Sequence, residues 1–286
     1  MGGTQAVTYK NSSSGLPVIS AGWGKPIILS SVGATSASRP SWIASTPPSI
    51  TTTGTGLVVC AVCGPFVSGS FINSQLPQNE PIGQAFRQEV RVYPERAIRE
   101  LVANCLIHQE FSVTGTGPMV EIFDSRMEIT NPGEPLVDTL RFIDTPPKSR
   151  NETLAAMMRR MKICEEAGTG IDKVIEAVEA FQLPAPDFTA ITTTQPGFTK
   201  ATLYAPRRLN DMDSKERIRA CYQHACLCLV TGSRMTNASM RQRFGIEEHN
   251  AAKASRIIAE ALENNLVKPF DPNQGKKYAS YLPFWA

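Results

Sequence analysis

Arg99-Glu100-Leu101-Val102-Ala103-Asn104-Cys105-Leu106-Ile107-His108, with Tyr93-Pro94 just ahead of it, sets Glu100, Asn104 and His108 four residues apart in an otherwise apolar run. Four residues is about 400° of helical rotation, so the three polar side chains form one slowly drifting stripe. Ile98, Leu101, Val102, Cys105 and Leu106 make a core-facing stripe beside it, and Ala97, Ala103 and Ile107 leave little polar surface elsewhere. Pro94 suits the first turn, where a missing N–H costs nothing. The expectation is a helix buried on more than one side, in which a carboxylate and an amide must find partners. A hydrated divalent cation carrying a phosphate chain would satisfy both. The ordinary alternative is an amphipathic helix with a solvated Glu100 and an Asn104 that caps a neighbouring turn.

Downstream, Gly115-Thr-Gly117 makes a turn. Met119-Val-Glu-Ile-Phe123 and Met127-Glu-Ile-Thr130 then alternate apolar and polar residues around Asp124-Ser-Arg126, the pattern of a β-hairpin. The second strand runs into Asn131-Pro-Gly133-Glu-Pro135, which alone reads as a turn. Ser149-Arg150-Asn151 opens a helix through Leu154, Met157, Met158 and Met161. Cys164-Glu-Glu-Ala-Gly168-Thr-Gly170-Ile then leads into another helix through Ile175 and Val178, and Phe198–Tyr204 reads as a strand. Glycines just ahead of a helix expose N–H groups at the positive end of its dipole, a natural phosphate site, although Gly-x-Gly alone is also a plain turn.

Glu-Leu-Val-Ala-Asn (100–104) resembles the N-box of the GHKL ATPases, the superfamily of DNA gyrase B subunits, MutL and sensor histidine kinases. The order of N-box helix, Asn-Pro-Gly, Ser-Arg-Asn and Glu-x-Gly-Thr-Gly-Ile is similar to the GHKL-type domain of proteins labelled RecG-like ATP-dependent helicase carboxy-terminal, over about residues 72–206. The resemblance implies an α+β sandwich of the GHKL (Bergerat) type that binds ATP and Mg2+. Glu100 would be the general base, Asn104 the metal ligand and His108 a less certain neighbour. Asn131 would accept a hydrogen bond from the adenine amino group, and Gly133 would match the first glycine of an Asp-x-Gly-x-Gly box in which Pro135 replaces the second. Gly168, Thr169 and Gly170 would form the phosphate lid. Arg150 and Asn151 would line the nucleotide, a helix-capping role being the alternative. No Gly-x-x-x-x-Gly-Lys-Ser/Thr run occurs, so the helicase label does not imply a P-loop motor.

Charge divides the 286 residues into three. Residues 1–71 carry three basic and no acidic side chains, 72–211 fifteen basic and nineteen acidic, and 212–286 eleven basic and seven acidic. The first segment, rich in Ser, Thr, Gly and Pro, is expected to be poorly ordered, with Leu57–Val62 as an isolated strand at most. In the third, apolar residues from Ile218 to Leu229 recur at helical spacing, Thr236–Gly245 supplies a cap, a short helix and a glycine stop, and Ala251–Leu262 makes a further helix. Leu266–Phe270, a turn with Lys276 and Lys277, and an aromatic strand to Trp285 complete a pattern that resembles a winged helix-turn-helix. That resemblance would put His249, Asn250, Lys253 and Arg256 on double-stranded DNA, with Lys276 and Lys277 on phosphate. A winged helix that only contacts protein is the alternative.

No apolar run approaches the roughly 18 residues that cross a bilayer, and the start lacks a basic segment followed by an apolar one, so a cytoplasmic protein without a membrane partner is expected. Seven cysteines lack disulfide-scaffold spacing. Cys60-Ala-Val-Cys63 offers half a zinc site that Cys226-Leu-Cys228 does not complete. The combined expectation is an ATP-responsive DNA-binding regulator of transcription, a weak Mg-dependent ATPase that dimerises on nucleotide. The alternatives are a non-hydrolysing interaction scaffold with a decayed nucleotide site and, last, a histidine-kinase-like phosphotransferase, since His224 and His249 lack a dimerisation helix pair.

Overall fold

The computed structural model describes the backbone of 9–11, 17–19, 50–53 and 56–60, and in full 92–146, 148–164, 170–193, 196–273, 275 and 279–286. In chain order the elements are β1 (Tyr9–Asn11), β2 (Pro17–Ile19), β3 (Ile50–Thr53), β4 (Gly56–Cys60), α1 (Glu95–Ile107), β5 (Met119–Ile122) and β6 (Arg126–Pro132). After them come α2 (Glu152–Arg160), α3 (Gly170–Ala180), β7 (Asp187–Ile191), β8 (Phe198–Tyr204) and α4 (Ser214–Val230). The chain ends with β9 (Met235–Thr236), α5 (Asn237–Phe244), α6 (Ala251–Glu263), β10 (Val267–Pro269) and β11 (Ser280–Pro283).

The expected hairpin is β5–β6, in register Met119↔Thr130 to Ile122↔Met127. It forms the middle of a six-stranded antiparallel sheet in the order β3-β4-β5-β6-β8-β7. β3 and β4 come from the segment expected to be poorly ordered. The strand foreseen as isolated is instead β4, paired with β5 from Leu57↔Ile122 to Cys60↔Met119. The reason is physical: an uncovered β5 edge presents a row of unpaired backbone donors and acceptors that another strand satisfies. β7 had no expectation attached to it. Its residues are only half-buried, so they lack the alternation that marks a strand in sequence.

α1 is buried on several sides, as its composition required. Ile98, Leu101, Val102 and Cys105 pack with Val120, Ile122, Met127, Ile129 and Leu203 of the sheet and with Val174 and Val178 of α3. Its opposite side, Ala103 and Ile107, packs against Ala155 and Met158 of α2 and against Ile163. This sandwich of helices on an antiparallel sheet fits an α+β ATPase-like fold.

At the carboxy-terminal end, α4, α5 and α6 surround Ile218, Cys221, Met235, Met240, Ala254, Ile257 and Ile258, edged by a small sheet in the order β10-β11-β9. Local signals set these boundaries. Asp213 and Glu216 form a capping box on α4, Thr236 and Ser239 form another on α5, and Gly245 closes α5 in the left-handed conformation at φ +61°. Ile143, Ile175 of α3, and Tyr222 and Cys226 of α4 join this module to the sandwich. No helix among the described residues is long and apolar enough to cross a membrane.

Candidate functional site

A cavity of about 190 Å³ opens between α1, the end of β6 and the start of α3. It is larger than the roughly 150 Å³ engineered cavity known to admit benzene, so a ring system fits inside. Five of the residues singled out in the sequence line it: Glu100, Asn104, His108, Asn131 and Gly170. They meet because α1 lies across the sheet with its polar stripe turned toward the α3 terminus.

Glu100 is 1% exposed. Its Oε1 accepts from Arg99 Nε and Nη2 at 3.3 and 3.1 Å, while Oε2 faces Gly170. A Cβ built on Gly170 would lie 3.4 Å from Glu100 Oε2, 3.6 Å from Asn104 Nδ2 and 3.9 Å from Asn104 Oδ1. The bare backbone of Gly170 therefore keeps a hollow open between the two side chains and the first turn of α3, whose leading N–H groups have no intrahelical partner. Among the described residues, the Asn104 side chain has no hydrogen-bond partner. One amide oxygen beside one carboxylate suits Mg2+, which takes few protein ligands and completes its shell with phosphate and water. No group of three or more His, Cys, Asp or Glu among the described residues forms an alternative metal site.

Asn131 is 5% exposed. Its Nδ2 donates to His108 O at 3.3 Å and to Pro132 O at 3.1 Å. Both amide protons are thereby used, which fixes the orientation of the amide and leaves Oδ1 as an acceptor without a hydrogen-bond partner among the described residues. His108 ends α1, and burial, followed by the nearby Arg150 charge, lowers its pKa. A neutral ring lines the cavity.

Arg150, Asn151 and Gly133 lie outside the cavity lining, and the structure gives each another task. Arg150 Nε donates to His108 O at 3.0 Å, Nη1 to Glu110 Oε2 at 3.0 Å and Nη2 to Glu134 O at 2.7 Å. Asn151 occupies the N-cap position of α2 without capping it. Its Nδ2 instead donates to Ile107 O and Gln109 O at 2.9 and 2.8 Å, closing the carboxy-terminal end of α1. Gly133 has φ +107°, and a Cβ there would sit 3.2 Å from Arg150 Nε and from Glu110 Cβ. It is glycine so that the Arg150 guanidinium can pass. These partners lie 16 to 44 residues away in sequence, so no local pattern betrayed the roles. Sequence reasoning also missed two cavity-lining cations, Lys148 and Arg159, which belong to no motif.

Gly168 and Thr169, like Lys276 and Lys277, lie outside the described residues. His249 sits exposed in the turn just ahead of α6, 3.2 Å from Glu247 and hydrogen-bonded to Asn250. Lys253 and Arg256 are exposed on α6 itself.

No curated protein matches the chain. Among solved structures, the DIP2311 protein from Corynebacterium diphtheriae is similar at 16% identity and a TM-score of 0.46 over 77% of this chain. The match spans 45% of that protein's length. Residues 115–196 match the family described as "Putative ATP-dependent DNA helicase recG C-terminal". The matched stretch begins after α1 and carries Asn131, Arg150 and Gly170, so this segment is similar to that family.

Proposed function

We propose that the cavity binds ATP with Mg2+, and that the carboxy-terminal module is a winged helix that binds double-stranded DNA, making the chain an ATP-responsive DNA-binding regulator. The observation that carries the reading is the pair of amide groups around one hollow that have no further hydrogen-bond partner among the described residues, Asn131 Oδ1 and the Asn104 amide, with the first turn of α3 beside them. Both groups open onto the cavity instead of being sealed in the core, so a polar ligand can reach and satisfy them.

In this reading Asn131 Oδ1 accepts from the exocyclic amino group of adenine, a donor that guanine lacks at that position. Asn104 Oδ1 holds the metal. When bound, Mg2+ neutralises phosphate charge and aligns the terminal phosphate. The α3 terminus receives phosphate oxygens, which Gly170 allows to approach. Glu100 Oε2 orients a water and takes its proton, while Arg99 fixes the other carboxylate oxygen.

α3 links the two halves: Gly170 stands in the cavity, and Ile175 and Glu179 pack on α4 and α5. A shift at its amino terminus on nucleotide binding would move the module on its other end. Nucleotide-driven dimerisation would then space two modules on DNA.

Titration with fluorescent ATP tests the first half. The wild type is expected to bind more tightly with Mg2+ than without, and Asn104→Ala to lose most of that difference while keeping residual metal-free binding. No binding by the wild type under either condition would remove the reading. Gel shifts on random duplex at stepped salt test the second half. Neutralising two phosphate contacts through Lys253→Ala with Arg256→Ala should flatten the log–log salt slope by roughly 2. A wild-type slope near zero would take DNA out of the proposal.

A further inference from the structure

Among the described residues, Lys148 and Arg159 are the only Lys or Arg lining the cavity. They reach it from either side of α2, Lys148 in the segment ahead of the helix and Arg159 in its last turn. Other arginines nearby are committed elsewhere: Arg99 to Glu100, Arg141 to Asp144, and Arg150 to Glu110 and two carbonyls. The side chains of Lys148 and Arg159 have no hydrogen bond or ion pair with any described residue. Two cationic residues lining one hollow, neither in an ion pair with a described carboxylate although Glu100 and Glu134 line it too, mark a place for an anion.

We infer that Lys148 and Arg159 form the phosphate-recognition pair of this cavity and make it select nucleoside polyphosphate over the bare nucleoside. The inference rests on the nucleotide reading above and adds which side chains supply its phosphate affinity. Asn131 is bound to the end of β6 and Gly170 to the start of α3, so the two cations complete a cavity with an amide acceptor for a base and positive charge for its phosphates. Arg159 supplies a planar fork able to grip two phosphate oxygens, and Lys148, more exposed, supplies a compact point charge.

Binding of ATP, ADP and adenosine to the full chain, measured by calorimetry for the wild type and for Lys148→Met with Arg159→Met, decides the matter. The double variant should lose roughly ten- to a hundredfold in ATP affinity, the worth of one or two charge-assisted hydrogen bonds. Adenosine affinity should stay unchanged, and raised salt should weaken ATP binding to the wild type more than to the variant. A variant that keeps the wild-type ratio of ATP to adenosine affinity overturns this inference and leaves the nucleotide reading standing. A wild type that binds neither ligand overturns both. Because adenosine binding reports a folded site, a variant that simply fails to fold is recognised by losing all three ligands, and the single variants then carry the same comparison.

Discussion

Arg243→Met is expected to lower the unfolding free energy by about 3–5 kcal/mol, the usual cost of leaving one partner of a buried ion pair alone. The Arg243 side chain is 1% exposed. Its Nε lies 3.3 Å from Glu179 Oε1, and its Nη2 donates to Leu183 O at 2.7 Å. Glu179 stands in the last turn of α3, and its other oxygen lies 2.9 Å from His224 Nδ1 on α4. Three helices from both halves of the molecule thus meet at one carboxylate. Methionine keeps the aliphatic bulk and removes the charge, so Glu179 would be left with His224 alone. Urea unfolding at pH 7 checks the effect, and a loss below about 1 kcal/mol would show that desolvation cancels the attraction.

The same cluster makes stability depend on pH. Burial acts to lower the His224 pKa, but the Cys228 sulfur and the Glu179 carboxylate outweigh it and raise it from 6.5 to about 9. A raised folded-state pKa contributes stability that is complete below about 6.5 and fades as pH climbs through about 9. The wild-type Tm should therefore fall across that alkaline window, and the fall should be smaller in Glu179→Gln, which removes the partner that favours the protonated ring.

Glu100→Gln should cut ATP turnover by roughly a hundredfold or more while leaving nucleotide affinity close to wild type, since positioned acid–base groups typically supply about 10²–10⁴. Glutamine preserves the size and hydrogen-bonding of a side chain that is 1% exposed, so the fold should survive, but it cannot take a proton. Single-turnover hydrolysis alongside ATP titration reads both quantities. If the wild type binds ATP yet hydrolyses it no faster than buffer, Glu100 is held by Arg99 as a structural carboxylate, and the non-hydrolysing scaffold becomes the better description.

Much of the architecture was legible in the chain because its signals are local. The α1 stripe, the β5–β6 hairpin, the opening of α2 after Asn151 and the caps at Thr236 and Gly245 each rest on residues within a turn or two of one another. The candidate site was legible in part for the same reason. Glu100, Asn104 and His108 share one helix face, so predicting the helix predicted their meeting, and Asn131 and Gly170 joined them in the cavity.

The chain alone determined that Glu100 and Asn104 lie one turn apart on a helix too apolar to stand free in water, with glycine held ready at the head of another. Only the tertiary structure decided that Gly170 would face them, that Arg150 and Asn151 would bind the carboxy-terminal end of α1 and the loop after β6, that the Lys148 and Arg159 side chains would have no partner among the described residues, and that Glu179 would be shared by His224 and Arg243. Helical periodicity and capping are written over a few residues. Contacts that side chains make with residues 40 or more positions away depend instead on how helices pack on the sheet, and that follows from burying the whole core at once.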